Sequence, residues 1–334
     1  MEIATTQSEV YGLLSGKMSR NISEGDSLTP PGNRNAGSVS AQPWCVYETS
    51  SIHNLMRVSG LILKAYSEPR YKVFARGQSC PCKDDLMLPA IARGLDQPGA
   101  SSFRERMTIL VKLRSEIQKA LPKNERFMDD IILAVLQHYG IRTHWLDVVD
   151  NLFVALWFAC NCRTRNEPYS YQPADSAGHL YLLRVEDNDP VSKDWEMANG
   201  GSTKCSGGDR TKWCDLRRQH TSLSLRPYAQ HGVSISRTCR KRPTSKAQLD
   251  LTETVLVEIR FPSGSEVTEF MREDRKQLMR WMFPPKCKDD TYARLCRDKV
   301  RRAVESAVGT KTAELGRIDV YNSGDLVAGT TSPL

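Results

Sequence analysis

The sequence lacks the short motifs that would assign a common chemistry directly. It has no Gly-x-Ser-x-Gly motif of the serine hydrolases and no glycine-rich phosphate loop of the Walker or dinucleotide-binding type. Its aspartate pairs, Asp84-Asp85 and Asp129-Asp130, are direct neighbours, and neighbours on a helix do not face each other. These absences argue against a serine hydrolase, a Walker-type nucleotidase and a metal-dependent nuclease.

Zinc-type cysteine spacing and long hydrophobic runs are also missing. The ten cysteines include Cys80-Pro-Cys82 and Cys160-Asn-Cys162, whose one-residue spacings are shorter than zinc sites use. The first 20 residues lack the apolar core of a signal peptide, and the longest apolar run, residues 152–160, is about half of a bilayer span. We therefore predict no metal, no membrane association and a cytoplasmic location, although distant cysteines could still combine into a zinc site.

The composition is that of a globular protein with a modest excess of positive charge. Hydrophobic residues make up 40% of the 334 residues, which is enough for a sizeable core. Lys and Arg number 47 against 39 Asp and Glu, giving a net charge of +8. This excess permits an anionic partner such as a nucleotide or a nucleic acid. The basic residues are scattered, however, and the densest run, residues 237–246, is typical of a solvated loop.

Changes in composition along the chain predict one domain between two tails. Residues 1–42 are rich in Ser, Gly, Asn and Pro and are predicted to form a flexible N-terminal arm. The domain is predicted over residues 43–309. Within it, residues 188–221 are polar and lack periodicity, which indicates a long loop. The last segment, residues 310–334, is predicted to be a C-terminal tail.

Hydrophobic periodicity within the domain predicts an α+β fold. Alternating patterns favour three strands, at residues 71–76, 179–185 and 254–261. Spacings of three and four residues favour helices elsewhere, notably at residues 50–66, 103–121, 265–282 and 289–308. We therefore predict a small mixed or antiparallel sheet that is flanked by several helices.

A polar cluster between two apolar helices is the strongest candidate for a site. The first helix ends near His138, and Gly140 follows where a helix end favours positive φ. After a short turn over residues 147–151, Asp150 or Asn151 is placed to cap the second helix. Polar side chains on a rigid connection are typical of binding sites. The cluster consists of Gln137, His138, Thr143, His144 and Asp147. Alternatively, His138 and Asp147 are ordinary helix-end groups.

Three motifs in this order resemble the FRG-domain family. Gln-His-Tyr-Gly at residues 137–140, followed by the Ala-Leu-Trp-Phe-Ala helix at residues 155–159, is similar to the central motif of the family. Phe-Ala-Arg-Gly-Gln at residues 74–78 lies where the family has Phe-Arg-Gly, and residues 226–232 resemble its Arg-x-x-Ala-Gln-x-Gly. The matches extend over roughly residues 50 to 305. Three differences stand out: an inserted Ala75, Arg142 in place of Pro, and His144-Trp145 in place of Arg-Leu.

The resemblance implies a nucleotide-type pocket, with an ADP-ribosyltransferase-like fold and NAD as the candidate cofactor. An aromatic-x-Arg-Gly strand is similar to the first motif of arginine-class ADP-ribosyltransferases, in which the arginine holds the pyrophosphate or ribose of NAD. Arg76 would thus grip a phosphate, with Gly77 allowing close approach to the backbone. Gln78, Gln137 and Thr143 would complete the cofactor-binding set. The alternative is that Arg76 pairs with a buried carboxylate such as Asp147.

The predicted catalytic residues are His138, Gln230 and Asp147. The transferase hypothesis also needs an acidic group near the reacting ribose, and the third motif offers Gln230 instead of glutamate. Glu258 is a candidate substitute. The competing hypothesis is a non-catalytic sensor or interaction module that retains the pocket. The resemblance further implies a role in microbial or phage conflict, with a protein or nucleic-acid target; the oligomeric state is left open.

Overall fold

The computed structural model describes the chain in twelve stretches. They are residues 27–29, 44–66, 71–82, 86–98, 100–127, 131–163, 171–186, 210–218, 225–238, 243–272, 275–285 and 287–309. Most of the predicted N-terminal arm and loop, and all of the predicted C-terminal tail, lie outside these residues.

Ten strands and nine α-helices are described in these stretches. The strands are β1 (Ser27–Thr29), β2 (Cys45–Glu48), β3 (Tyr71–Gln78), β4 (Leu146–Val149), β5 (Asn161–Arg163), β6 (Tyr171–Pro173), β7 (Gly178–Glu186), β8 (Arg210–Asp215), β9 (Gly232–Thr238) and β10 (Val255–Phe261). The helices are α1 (Ile52–Tyr66), α2 (Phe103–Ala120), α3 (Ile132–His138), α4 (Leu152–Cys160), α5 (Leu225–Ala229), α6 (Glu266–Arg272), α7 (Arg275–Met282), α8 (Asp290–Leu295) and α9 (Asp298–Val308).

Eight of the strands form one mixed sheet, which confirms the predicted α+β class. Their order is β1-β2-β10-β7-β3-β4-β9-β8, and β5 pairs with β6 in a separate ribbon. Only β2 and β10 are parallel among the described pairs; the other neighbours are antiparallel. Strands β3 and β4 lie in the interior of this order. Side chains at their ends are therefore surrounded by fixed backbone, which suits a site.

Alternation along β3 divides the core between the two faces of the sheet. Val73 and Ala75 pack with α1 and α4 on one face, and Phe74 packs against Trp213 of β8 on the other. Helices α2, α3 and α9 enclose a third cluster of buried residues. This period-two pattern is what a strand buried on both faces produces.

The close approach of α4 to β3 depends on Gly77. A Cβ at this position would lie 1.7 Å from the carbonyl oxygen of Ala155 and 2.7 Å from the amide nitrogen of Ala159. No side chain fits there without displacing the helix. Helix α4, rather than a ligand, therefore occupies the space that the missing side chain provides.

Several local predictions differ from the structure. The turn predicted over residues 147–151 is largely strand β4, because its residues pair with β9. Strand β8 lies inside the predicted loop, and Ser27–Thr29 of the predicted arm pair with β2. The helix predicted over residues 289–308 is divided into α8 and α9 at Cys296 and Arg297, whereas α6 and α7 both lie within the helix predicted over residues 265–282. Pairing between distant segments leaves little local signal, which explains the missed strands.

Candidate functional site

A cavity of about 290 Å³ opens between β3, β4, α3 and α4. Six of the eight residues predicted from the sequence line it. These are Arg76, Gly77, Gln137, His138, Asp147 and Gln230. The other two, Gln78 and Thr143, lie behind the lining and contact it through hydrogen bonds. Three separate sequence motifs thus meet at one place.

Arg76 is held by backbone and amide groups. Its Nη1 donates to the carbonyl oxygen of Asp147, and its Nη2 lies 3.4 Å from Oε1 of Gln78. The buried Nε has no hydrogen-bond partner among the described residues. Burial lowers the pKa of the guanidinium, and the nearby charge of Asp147 opposes that shift. A direct ion pair with the Asp147 carboxylate, which was the alternative interpretation of Arg76, is not formed among the described residues.

Gln137 and Thr143 orient the Asp147 carboxylate. Gln137 Oε1 accepts from the amide of Thr143 at 2.8 Å, and Gln137 Nε2 donates to Asp147 Oδ2 at 3.2 Å. Thr143 is completely buried. On β9, Ser234 donates to Asp147 Oδ1 at 3.3 Å, a contact that sequence reasoning missed because Ser234 lies outside every motif. These bonds fix the carboxylate at the cavity wall and assign Thr143 a positioning role.

His138 completes the polar floor of the cavity beside Asp147. Its Nδ1 lies 3.8 Å from Asp147 Oδ1, and its Nε2 has no hydrogen-bond partner among the described residues although the side chain is 95% buried. Burial would raise the pKa of Asp147, but His138, Arg76 and Gln137 outweigh it and hold that pKa below its ordinary value. Gly232 makes room for the ring, since a Cβ there would lie 2.9 Å from His138 Cε1.

Three further arginines, which were not predicted as site residues from the sequence, line the cavity. Arg142 and Arg163 are exposed at its rim, and Arg226 is buried. The Arg226 guanidinium lies 5.1 Å from the ring centre of Tyr139 and 5.0 Å from that of Phe283, which are cation–π distances. Because Arg226 lies in the third motif, the sequence did contain a reason to predict it as a site residue.

An aromatic wall formed by Phe158, Tyr171 and Phe283 lies along the same cavity. The rings of Tyr171 and Phe283 are stacked, with centroids 5.0 Å apart and planes at 27°. The wall combines a helix, the β5–β6 ribbon and the segment after α7. No local pattern connects these residues, so the sequence alone could not group them.

Gln230 closes the cavity from the side of α5. It is buried, and its Nε2 donates to the carbonyl oxygen of Met282 at 2.8 Å. The next residue, His231, has a positive φ of 50° and forms an ion-pair contact of 2.9 Å with Asp150. This pair does not line the cavity. Gln230 therefore holds the end of α7 through a backbone contact.

Glu258 does not lie at the cavity, and the suggestion that it supplies the missing acid is wrong. It is 1% exposed and accepts hydrogen bonds from Trp44, Tyr181 and Arg260, with His179 Nδ1 at 2.7 Å. Burial raises its pKa, but these partners dominate and lower it to about 2. The Glu258 carboxylate, on β10, is therefore the centre of a structural network of ion pairs and hydrogen bonds.

His144 is also separate from the cavity. Its ring is close to Trp145, with centroids 6.0 Å apart. Burial, with a smaller contribution from the charge of Lys212, lowers the pKa of His144 to about 3. The carboxylate of Asp147 contacts Gln137 and Ser234. The Asp147 carboxylate therefore forms no hydrogen bond with the ring of His144 among the described residues.

Within the described stretches, no three His, Cys, Asp or Glu residues are arranged to hold a metal ion. Nor does any described helix combine the length and hydrophobicity needed to cross a membrane.

The family model of the FRG domain matches residues 72–167, which include β3, α3, β4 and α4. The chain therefore carries an FRG domain. No curated protein and no solved structure matches the chain.

Proposed function

We propose that the FRG domain binds a nucleotide-type anion in this cavity. The observation that carries the proposal is the charge of the lining: four arginines face the cavity with a single carboxylate, Asp147, among the described residues. Guanidinium groups form strong, charge-assisted hydrogen bonds to phosphate. Arg76 is held in place before any ligand arrives, which lowers the entropic cost of binding.

The aromatic wall supports a nucleotide over a simple inorganic anion. Tyr171 is partly exposed beside the cavity and is stacked with Phe283. Bases of any sequence stack on such rings, with a gain of about 1–3 kcal/mol per base. Phosphate contacts from the arginines and base contacts from this wall together match the two ends of a nucleotide.

A second candidate function is an ADP-ribosyltransferase-like reaction that uses NAD. The specific observation in its favour is that Asp147, an acidic group, faces the cavity beside His138. A carboxylate can stabilise the cation-like ribose that forms as the bond to nicotinamide breaks. In this scheme Asp147 supplies the negative charge that the third motif lacks. A protein or nucleic-acid target and a role in microbial or phage conflict remain expectations from the family resemblance.

The experiment is calorimetric titration of the full-length protein with NAD and ADP-ribose, together with an assay for nicotinamide release. Wild type and Arg76→Gln are compared, since glutamine keeps a polar side chain but removes the charge. We expect the variant to bind at least about ten-fold more weakly, because a hydrogen bond to a charged group is worth about 1.5–3 kcal/mol.

The matched control is Arg301→Gln, which removes the same charge from an exposed position on α9. It should bind like wild type, with only a small electrostatic effect. Binding without nicotinamide release would favour the non-catalytic module over the transferase. If wild type binds neither ligand nor any other nucleotide, the proposed function is wrong.

A further inference from the structure

The chain immediately after β3 carries a pair of cysteines that the proposed function does not use. Cys80 and Cys82 are separated by Pro81, and both are free thiols. Cys80 is exposed, and Cys82 is partly buried. Two residues span at most about 7 Å of chain, and disulfides join α-carbons about 4.4–6.8 Å apart. The sequence spacing therefore keeps these two thiols close to the separation that a disulfide needs.

Cys82 lies over the same face of the sheet as Arg76. Arg76 and Gln78 project from one face of β3, since they are two residues apart. Arg76 is the register partner of Tyr181 on β7, and the hydroxyl of Tyr181 accepts from the amide of Cys82 at 3.2 Å. The chain after β3 thus folds back over this face and brings the Cys82 thiol to Gln78.

Gln78 connects the Cys82 thiol to the arginine of the cavity. Its Oε1 lies 3.4 Å from Nη2 of Arg76, and its Nε2 lies 3.1 Å from Sγ of Cys82. A guanidinium group can only donate, so the amide oxygen faces Arg76 and the amide NH₂ group faces the sulfur. A change at the sulfur therefore reaches Arg76 through a single side chain.

We propose that Cys80 and Cys82 form a reversible disulfide, and that its formation weakens the hold of Gln78 on Arg76. A disulfide fixes each sulfur at about 2.05 Å from the other, with a torsion near 90°. Sγ of Cys82 then leaves the position in which it accepts from Gln78, and Arg76 loses a preorganised partner. Formation of the disulfide is independent of the proposed function, whereas its effect on ligand binding rests on that function.

The oxidant in this exchange is a low-molecular-weight disulfide such as oxidised glutathione. The thiolate of the exposed Cys80 attacks one sulfur of the oxidant, and one glutathione leaves as its thiolate. Burial raises the pKa of the Cys82 thiol, so Cys82 reacts second. It loses its proton, attacks the Cys80 sulfur and releases the second glutathione. Two protein thiols are oxidised, the oxidant is reduced to two thiols, and the two protons pass to them.

The first measurement is the thiol–disulfide equilibrium of the full-length protein in mixtures of reduced and oxidised glutathione. After alkylation and digestion with trypsin, residues 77–83 form a peptide that contains these two cysteines and no other. We expect an unalkylated, disulfide-bonded form of this peptide that increases with the share of oxidised glutathione. Cys80→Ser should not form it. If the wild-type peptide stays alkylated, or carries only glutathione, in a large excess of the oxidant, the inference is wrong.

Gln78→Ala tests the connection to Gln78 without any ligand. The hydrogen bond from Gln78 favours the reduced form, so its removal should raise the equilibrium constant for disulfide formation by about five-fold, the net contribution of one hydrogen bond. Gln172→Ala, at an exposed position on β6, is the matched control and should leave the constant unchanged. Equal constants for Gln78→Ala and wild type would overturn the connection.

Calorimetric titration with ADP-ribose then compares the reduced and the oxidised protein. Oxidised wild type should bind at least about three-fold more weakly than reduced wild type. Cys80→Ser keeps the contact between Cys82 and Gln78 but cannot form the disulfide, so it should bind equally under both conditions. Equal binding by both forms of wild type would overturn the effect on Arg76 while nucleotide binding stands. If neither form binds any nucleotide, the proposed function is wrong, and the first two measurements still decide the disulfide and its dependence on Gln78.

Discussion

Two carboxylates in this molecule have similar neighbours but different surroundings. Glu258 and Asp147 each lie near a histidine and an arginine, and both have a pKa below the ordinary value. At Glu258 the histidine is 2.7 Å away and the arginine donates directly to the carboxylate. At Asp147 the histidine is 3.8 Å away and the arginine binds the backbone carbonyl instead.

The difference separates a structural centre from the centre at which we propose that a ligand binds. Around Glu258, the hydrogen-bond donors bind the carboxylate itself, and these bonds stabilise the fold. Around Asp147, His138 Nε2 and Arg76 Nε have no hydrogen-bond partner among the described residues, and both side chains line a cavity. Buried polar groups are usually satisfied, and at these two atoms a ligand in the cavity would supply the partner under the proposed function. The four predictions that follow test this distinction.

The largest effect is expected for Glu258→Gln. Removing one member of a buried ion-pair network costs about 3–5 kcal/mol, because the remaining charges lose their partner. The free energy of unfolding in urea measures this loss. Glu305→Gln, which affects only an exposed pair with Arg301 on α9, is the control and should change stability by less than about 1 kcal/mol. A small effect of Glu258→Gln would show that this network is not structural.

The Glu258 carboxylate should also make the free energy of unfolding depend on pH in the acid range. The pKa of Glu258 is lowered from 4.5 to about 2 in the folded state. As pH falls below 4.5, the unfolded chain takes up the proton first, so stability is lost between about pH 4.5 and 2. The loss amounts to about 3 kcal/mol from this group. Urea unfolding across this range should give a flatter curve for Glu258→Gln; an identical slope in both proteins would contradict the assignment.

A smaller effect on stability is expected for Gly77→Ala. The added methyl group would collide with the Ala155 carbonyl, so α4 must move away from β3. Overpacking of this kind costs about 1–3 kcal/mol. Because Gly77 and Ala155 also line the cavity, ligand binding should weaken together with stability. Gly60→Ala is the control, since no atom lies within 4 Å of a Cβ there. Equal stability of both variants would show that the close approach is not required.

The smallest effect on stability is expected for Asp147→Asn. The amide keeps an oxygen that can accept a hydrogen bond from Gln137 or Ser234. The free energy of unfolding should therefore decrease by only about 1 kcal/mol. Asp147 is the single carboxylate among the described lining residues, so its removal should strengthen phosphate binding by a few-fold, measured by calorimetry with ADP-ribose. Any turnover of NAD should decrease strongly. Destabilisation as large as that of Glu258→Gln would remove the contrast between the two centres.

Local features of the site could be predicted from the sequence because they depend on local rules. Gly140 has the expected positive φ, at 106°, just after α3. The side chain of Asn151 caps α4 by accepting from the amides of Phe153 and Val154, as predicted. The strand predicted to end at Arg76 is β3, which continues for two more residues, to Gln78. Capping and helix-end conformation involve only adjacent residues, so their signals are present in the sequence itself.

The roles of individual side chains could not be predicted in the same way. Gly77 was expected to let a ligand approach the backbone; it lines the cavity, and α4 fills the space in the direction of its missing side chain. Glu258 was a candidate acid, but its carboxylate forms hydrogen bonds with Arg260 of its own strand and with three side chains from two other parts of the chain. Both roles depend on which distant segment packs against the residue, and no spacing rule carries that information.

The sequence by itself determined the α+β class, the FRG motifs and the concentration of polar residues around His138, because these follow from periodicity and from short linear patterns. Only the tertiary structure decided which of those residues meet, which carboxylate faces the cavity, and that Arg142, Arg163 and Arg226 join Arg76 along its wall. The physical reason is that the cavity is formed by β3, α3, β4, α4 and α5. Its charge arises only when these separate segments pack together.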